Sequence, residues 1–235
     1  MAVIMLAAIS TVGAQEVSTS PSINETPDPT WMTNGVVYSI IRSGDYIYVG
    51  GKFTRARSAT SGGMGFDVTN LARFDADTGV GDPNWTPDVT GADAKSTQVY
   101  DLAAAGGKIW VGGKFDAVDG VPRRNLAAVS TNTPAVVDPN VDPLVGSETN
   151  KGVRALLASE TGDKVYLGGY FTTIDGKGRQ RVAALDLSGN LDNAWKPKVN
   201  SYVHSLAYSC DKSTVFAGGK FQRAAGSDGV FFPRQ

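Results

Sequence analysis

The chain holds one histidine, His204, and one cysteine, Cys210, so much catalytic chemistry is excluded at the outset. No internal disulfide can form, and neither a His-rich metal site nor a Cys/His constellation within the chain is possible. A Ser-His-Asp arrangement would have to use His204. What remains are carboxylates, lysines, arginines and tyrosines. Asp75-Ala76-Asp77-Thr78-Gly79, followed by Asp82, sets carboxylates at alternate positions of a tight turn. That is a weak calcium-loop pattern, short of a full ligand set, and Asp, Asn and Gly are also the ordinary residues of turns. Calcium at Asp75, Asp77 and Asp82 is the one metal the sequence offers, and no other cofactor is indicated. Asp101, Asp119 and Asp175 are the acids a hydrolase or lyase could pair on one face. Asp119-Gly120 and Asp175-Gly176 recur in the same turn, however, and read as turn residues.

The residues that position such groups follow a repeat. An apolar strand ending in Gly-Gly-x-Phe occurs four times, as YIYVGGKF, KIWVGGKF, KVYLGGYF and TVFAGGKF. The first glycines, Gly50, Gly112, Gly168 and Gly218, stand 62, 56 and 50 residues apart. Before each anchor lies a shorter strand with a turn between, which predicts a hairpin. These strands are Val37–Ile40, Val99–Leu102, Val153–Leu156 and Val203–Leu206. A third strand is expected at Leu71–Asp75, Leu126–Ser130 and Val182–Asp186. A fourth, marked by Pro and Trp, is expected at Pro83–Pro87, Pro139–Pro143 and Asn193–Pro197, where proline suits an edge. Val141 stands where its siblings carry Trp85 and Trp195. Four antiparallel strands per copy with an aromatic motif in each predict an all-β, propeller-like architecture. The Gly pairs are expected where a β-carbon would clash or φ must be positive. Phe53, Phe115, Phe171 and Phe221 are expected to fill space between blades.

The order apolar strand, Gly-Gly, gap, third strand, Trp resembles a kelch blade. With Asn70-Leu71-Ala72-Arg73, Arg124-Asn125-Leu126-Ala127 and Arg181-Val182-Ala183, the pattern resembles the bacterial delta-sixty propeller repeats more closely. That resemblance implies a secreted or surface β-propeller, and it carries no catalytic residue over to this chain. Blades are expected at about 32–90, 97–145, 151–199 and 201–235, the last partial. Asp28-Pro29-Thr30-Trp31 matches Asp82-Pro83-Asn84-Trp85 and suggests an outer strand that latches a ring. Phe232-Pro233-Arg234-Gln235 matches Val121-Pro122-Arg123-Arg124. The expectation is therefore a piece of a larger propeller, its remaining blades in a missing C-terminal part of the same chain.

Two rings of equivalent positions could bind. The second residue of the first strand is Tyr38, Tyr100, Arg154 and His204: large, polar-tipped and different in each copy. Facing a channel, they would suit a sugar or a peptide. Packing between blades with the polar tips satisfied is the plainer reading. The residue after each Gly pair is Lys52, Lys114, Tyr170 and Lys220; the three lysines could hold an anion, though solvated strand-end lysines are commonplace. The first copy also carries an insertion, Arg55 to Thr69, rich in Ser, Gly and Ala.

Composition frames these readings. The 235 residues carry a net charge of −1 with no basic stripe, which argues against nucleic acid. Residues 1–14 read as a signal peptide without a positive n-region, and 15–27 as a Ser/Thr/Pro-rich linker. No later run is apolar enough to span a membrane. The expected function is a secreted or cell-surface binding module for a glycan, a protein or a surface. The alternatives are a propeller hydrolase or lyase, and a ligand-free spacer.

Overall fold

The computed structural model describes residues 31–59, 63–146, 152–226 and the backbone of 231–233. The expected signal peptide and linker lie outside these residues, as do Asp28 to Thr30 and Arg234. Every named element is a β-strand, and no helix among the described residues is long and apolar enough to cross a membrane.

Copy 1 contributes β1 (Trp31–Thr33), β2 (Val36–Ser43), β3 (Tyr46–Lys52), β4 (Arg55–Ser58), β5 (Gly65–Asp67) and β6 (Leu71–Asp75). Copy 2 supplies β7 (Val89–Thr90), β8 (Gln98–Ala105), β9 (Lys108–Lys114), β10 (Ala117–Val118), β11 (Val121–Pro122) and β12 (Leu126–Ser130). Copy 3 supplies β13 (Val145–Gly146), β14 (Val153–Ala158), β15 (Lys164–Gly169), β16 (Thr173–Ile174), β17 (Lys177–Gly178) and β18 (Val182–Asp186). Copy 4 supplies β19 (Lys198–Val199), β20 (Val203–Tyr208), β21 (Val215–Gly219), β22 (Arg223–Ala225) and β23 (Phe231–Pro233).

Each of the first three copies forms two antiparallel sheets. The larger has the order β2-β3-β6, repeated as β8-β9-β12 and β14-β15-β18. The smaller has the order β1-β4-β5, repeated as β7-β10-β11 and β13-β16-β17. Copy 4 has the pair β20-β21 and the small sheet β19-β22-β23. The chain therefore leaves the large sheet after its second strand, builds a hairpin on the small one, and returns. The small sheets take their first strand from the segment that precedes the copy, so each one straddles the expected blade boundaries near residues 90, 145 and 199.

Two expectations need correcting and a third is narrowed. The proline-marked segments are not strands. Each large sheet adds only one bridge beyond its third strand, Phe74↔Gly81, Val129↔Val137 or Leu185↔Leu191, and the chain then turns. The cause is local. The carboxylates of Asp82, Asp138 and Asp192 accept from the backbone N–H two residues on, at Asn84, Asn140 and Ala194, over 2.8–2.9 Å. Such Asx turns compete with an extended ladder. Trp31 is also not the counterpart of Trp85. It lies inside β1, paired with Ser58, whereas Trp85 precedes β7 by four residues and is fully buried. Finally, none of the anchor Gly pairs has positive φ. Steric clash alone accounts for them, as the site geometry shows below.

The cores lie between consecutive large sheets. One cluster joins Tyr48, Leu71 and Trp85 of copy 1 to Val99, Leu102, Ile109 and Val111 of copy 2. Another joins Trp110, Leu126 and Val141 to Val153, Leu156, Val165 and Leu167. Tyr48 and Trp85 meet edge to face at 5.0 Å, and Tyr166 and Trp195 at 4.9 Å. In copy 2 the partners change size together: Trp110 replaces the tyrosine and Val141 the tryptophan, both fully buried. Keeping the paired volume constant is how a close-packed interior tolerates such a swap. Arg73 adds a polar clamp between copies. Its buried guanidinium pairs with Asp82, donates to the Thr131 carbonyl at 2.6 Å and lies 3.9 Å over Tyr46.

Candidate functional site

The site is built on a defect that recurs in every hairpin. In copy 1 Val37 pairs with Gly51 and Ser39 with Gly50, leaving Tyr38 unpaired. The same shift leaves out Tyr100 between Val99 and Asp101, Arg154 between Val153 and Ala155, and His204 between Val203 and Ser205. The variable residue of the repeat is thus the extra residue of a β-bulge, a feature that re-aims one side chain away from the ladder.

The Gly pair makes this geometry possible. A β-carbon on Gly51, Gly113 or Gly219 would overlap the carbonyl oxygen of Val36, Gln98 or Tyr202 across the bulge. One on Gly169 would stand 2.6 Å from the Gly152 oxygen. The first glycine of each pair serves a different end. A β-carbon on Gly50 would lie 2.5 Å from Val99 Cγ1, one on Gly112 2.9 Å from Val153 Cγ1, and one on Gly168 2.5 Å from Val203 Cγ1. A leucine of the next copy, Leu102, Leu156 or Leu206, closes over the same spot at 3.2–3.4 Å. One glycine admits the next copy and the other admits the bulge.

The strands β2, β8, β14 and β20 lie side by side in that order, and their bulged residues meet in a strip. The Tyr38 and Tyr100 rings are 6.1 Å apart. The Arg154 guanidinium lies 3.6 Å over Tyr100 and 5.1 Å from Tyr170. Tyr170 meets His204 at 5.7 Å and stacks on Tyr202 at 4.0 Å. Arg181 stands 5.1 Å over the Tyr202 ring and donates to the Tyr170 carbonyl. Tyr38 and His204 are exposed, and Tyr100 and Arg154 half-buried. Burial raises the Tyr100 phenol above its ordinary pKa. Burial first, and then Arg154 and Lys220, hold His204 below the usual imidazole value, so it favours the neutral form.

The positions after the Gly pairs do not make a ring of their own. Tyr170 is buried within the strip. The Lys52 ammonium donates to the Lys95 carbonyl, and Lys114 to Ser96 Oγ at 2.7 Å. Both lysines face the loop 91–97, whose Asp93 carboxylate is held below its ordinary pKa by Ser96 and the Lys95 N–H, with help from Lys114 and Lys52. Lys220 is exposed, close enough to His204 to depress it.

Several residues of the strip carried no sequence signal. Gln98 and Tyr202 stand two residues before their bulges, where the siblings are Val36 and Gly152, so no pattern singles them out. Gln98 donates to the Tyr100 hydroxyl at 2.9 Å. The loop 91–97 is a second departure among the copies, besides the Arg55–Thr69 insertion. The insertion forms β4 and β5 on both sides of residues 60–62, which lie outside the described residues.

The expected acids take up structural contacts. Asp101 is an interior tie: its carboxylate accepts from Ser39 Oγ at 2.8 Å, from its neighbour Leu102 N–H at 2.9 Å and from Leu156 N–H at 2.8 Å, thereby joining three copies. Burial pushes its pKa up, with these bonds opposing the shift. Asp119 and Asp175 sit in left-handed conformation in two-residue turns and accept from the N–H groups of Asp88 and Leu144 at 2.7 Å. Asp75 is engaged by Asp77 N–H, Thr78 N–H and Thr78 Oγ1, and Asp82 by Arg73. No group of three or more His, Cys, Asp or Glu among the described residues is placed to hold a metal ion. Cys210 is exposed and free.

Residues 163–194 match the model of a family described as a β-propeller domain of unknown function (DUF5122). The matched stretch runs from the turn before β15 to the turn after β18, that is, the anchor strand, the small hairpin and the third strand of copy 3. No curated protein matches the chain. Among solved structures, the computationally designed Ika4 protein is similar over 88% of this chain and 96% of its own, at 14% identity and a TM-score of 0.44. The third copy thus matches a β-propeller repeat model, and the first two copies share its order of strands.

Proposed function

We propose that the chain is part of a secreted or cell-surface β-propeller of the kelch-like or delta-sixty type, and that it works as a binding module through the strip of bulged residues. The observation that carries this reading is a coincidence of variability and geometry. Core positions recur from copy to copy, whereas the bulged position is Tyr38, Tyr100, Arg154 and His204, and these side chains run together across four copies. A shared surface built from non-identical residues on rigid strands is suited to recognising an asymmetric ligand. The ligand class is a glycan or a protein displaying a similar polar and aromatic surface.

The open faces support the propeller reading. Val37 and Ile40 of copy 1 stand where Val99 and Leu102, Val153 and Leu156, and Val203 and Leu206 cover the glycine of the copy before. Ile40 is 66% exposed. At the other end, among the described residues, a β-carbon on Gly218 would meet only the Ser205 side chain, and Phe216, the counterpart of Tyr48, is 59% exposed. Further blades of the same repeat would cover both faces.

The test is a screen of immobilised chain against glycans and extracellular proteins, run in parallel with Tyr100→Ala/His204→Ala. The expected result is a ligand retained by the wild type and lost by the double variant, with an unchanged thermal midpoint. Equal retention by both proteins would refute the strip as the binding surface.

A further inference from the structure

We propose that the ligand of this strip is an acidic saccharide, with its carboxylate held by Arg154 and its sugar rings laid against the tyrosines. This rests on the binding-module reading above and adds the chemical class of the ligand.

Among the described residues, Arg154 is a cation without a counterion. Its guanidinium is stacked over Tyr100 at 3.6 Å and near Tyr170 at 5.1 Å, and its buried Nε has no hydrogen-bond partner among the described residues. None of the ion pairs among those residues includes it. The arginines at Arg73 and Arg123, by contrast, are paired with Asp82 and Asp142. A guanidinium presents five donors in a planar fork, and the partners that fill such a fork in folded proteins are carboxylates and phosphates. Here none of the described residues supplies one.

The surroundings favour an anion rather than a neutral ligand. Arg181 lies over Tyr202, and Lys220 and Arg154 together act on His204. The interior acid Asp101 is spent on Ser39, Leu102 and Leu156. The Asp93 carboxylate sits with Lys52 and Lys114 at the loop 91–97.

The aromatic frame argues for a saccharide rather than a small free anion. Tyr38 is 49% exposed and tilted at 53° to Tyr100, while Tyr202 is stacked parallel to Tyr170. Rings on both sides of the cation offer apolar faces for the C–H faces of pyranose units flanking a charged one. Stacking aromatics with a few placed polar groups are the usual make-up of a small-ligand surface. A carboxylate meets the fork with two parallel N–H···O bonds, and as the conjugate base of a far weaker acid it accepts them more strongly than a sulfate ester does.

The experiment is calorimetric titration of the whole chain with oligogalacturonate, with the same oligomer methyl-esterified, and with a sulfated oligosaccharide of similar length. Arg154→Met and Arg154→Lys are titrated alongside. The acid form is expected to bind at least ten-fold more tightly than its ester or the sulfated sugar. Arg154→Met should lose at least ten-fold, Arg154→Lys should retain part of the affinity, and binding by the wild type should weaken as salt rises. Because Arg154→Met could loosen the tyrosine stack, the ester and salt comparisons on the wild type stand independently of that variant. An ester bound as tightly as the acid would overturn the acidic class and leave a neutral-glycan module. A sulfated sugar bound more tightly would overturn the carboxylate assignment. No binding of any sugar, with a protein captured in a manner sensitive to Tyr100→Ala/His204→Ala, would overturn this inference and keep the binding module. The binding module itself falls only if that double variant changes nothing.

Discussion

Replacing Gly112 with alanine probes the contact that stacks one copy on the next. The new β-carbon would stand 2.9 Å from Val153 Cγ1 and 3.2 Å from Leu156 Cδ1, where ordinary contacts begin near 3.4 Å. Copy 3 would have to retreat by roughly half an ångström, and overpacking of this kind costs about 1–3 kcal/mol. Alanine also restricts the unfolded chain, offsetting about 0.4–1 kcal/mol. The net loss of about 0–2.6 kcal/mol corresponds to a drop of up to about 10 °C in thermal midpoint for a chain of this size. Val153→Ala alone removes two buried methyl groups and costs about 2 kcal/mol. Combined, the alanine at 112 occupies space that Val153 has vacated, so the double variant should be about 1–2 kcal/mol more stable than the sum of the singles predicts. Gly113→Ala is the contrast. Its β-carbon overlaps the Gln98 carbonyl oxygen, which is backbone, so Val153→Ala should not relieve it. Denaturant unfolding of the four proteins of the cycle, plus the Gly113 pair, measures this directly. Additivity within about 0.5 kcal/mol at 112 and 153, or a silent Gly113→Ala, would refute the division of labour between the two glycines.

Asp101→Ala removes the acceptor of the Leu156 N–H and should cost about 1–3 kcal/mol, with Asp101→Asn intermediate because it keeps one acceptor oxygen; equal stability of all three in denaturant melts would show the tie is idle. Arg73→Met leaves Asp82 unpaired beneath copy 2 and is expected to cost about 3–5 kcal/mol, more than Arg55→Met, whose pair with Asp67 is exposed. Tyr48 carries a buried hydroxyl with no partner among the described residues, so Tyr48→Phe should be neutral or stabilise by about 1 kcal/mol, and a loss in thermal midpoint would reveal a hidden partner. Since His204 has a lowered pKa, its contribution to stability is present above the unfolded value near 6.5 and is lost as pH falls through the folded one. An anion on the strip favours protonated His204, so affinity for an acidic ligand should rise as pH drops across the same window; His204→Gln should flatten that profile, and an unchanged profile would remove His204 from the strip's chemistry.

The repeat was legible because its signals are local. Gly-Gly-x-Phe after an alternating apolar strand marks the anchor, and the third strands at Leu71–Asp75, Leu126–Ser130 and Val182–Asp186 fall where the sequence places them. The small sheets were not legible, since strands of two to four residues such as Val89–Thr90 are too short for alternation to register. Their first strands also precede the large-sheet hairpin of the copy, so that hairpin separates them in sequence from their partners. The Pro and Trp segments misled for a related reason: proline is compatible with an edge strand, and only the Asx bonds of Asp82, Asp138 and Asp192 show that the chain turns there.

By itself the sequence determined an all-β repeat, its period, its apolar faces and the position at which the copies differ, all of them properties of neighbours along the chain. Only the tertiary structure decided what that position is. Tyr38, Tyr100, Arg154 and His204 are 62, 54 and 50 residues apart, and no pairwise pattern along the chain says whether they meet. They meet because one glycine of each pair lets a bulge turn the side chain out, and the other lets the next copy close to van der Waals contact. Spacing in sequence is thereby converted into adjacency on one surface, leaving the Arg154 cation among aromatic rings with no ion-pair partner among the described residues.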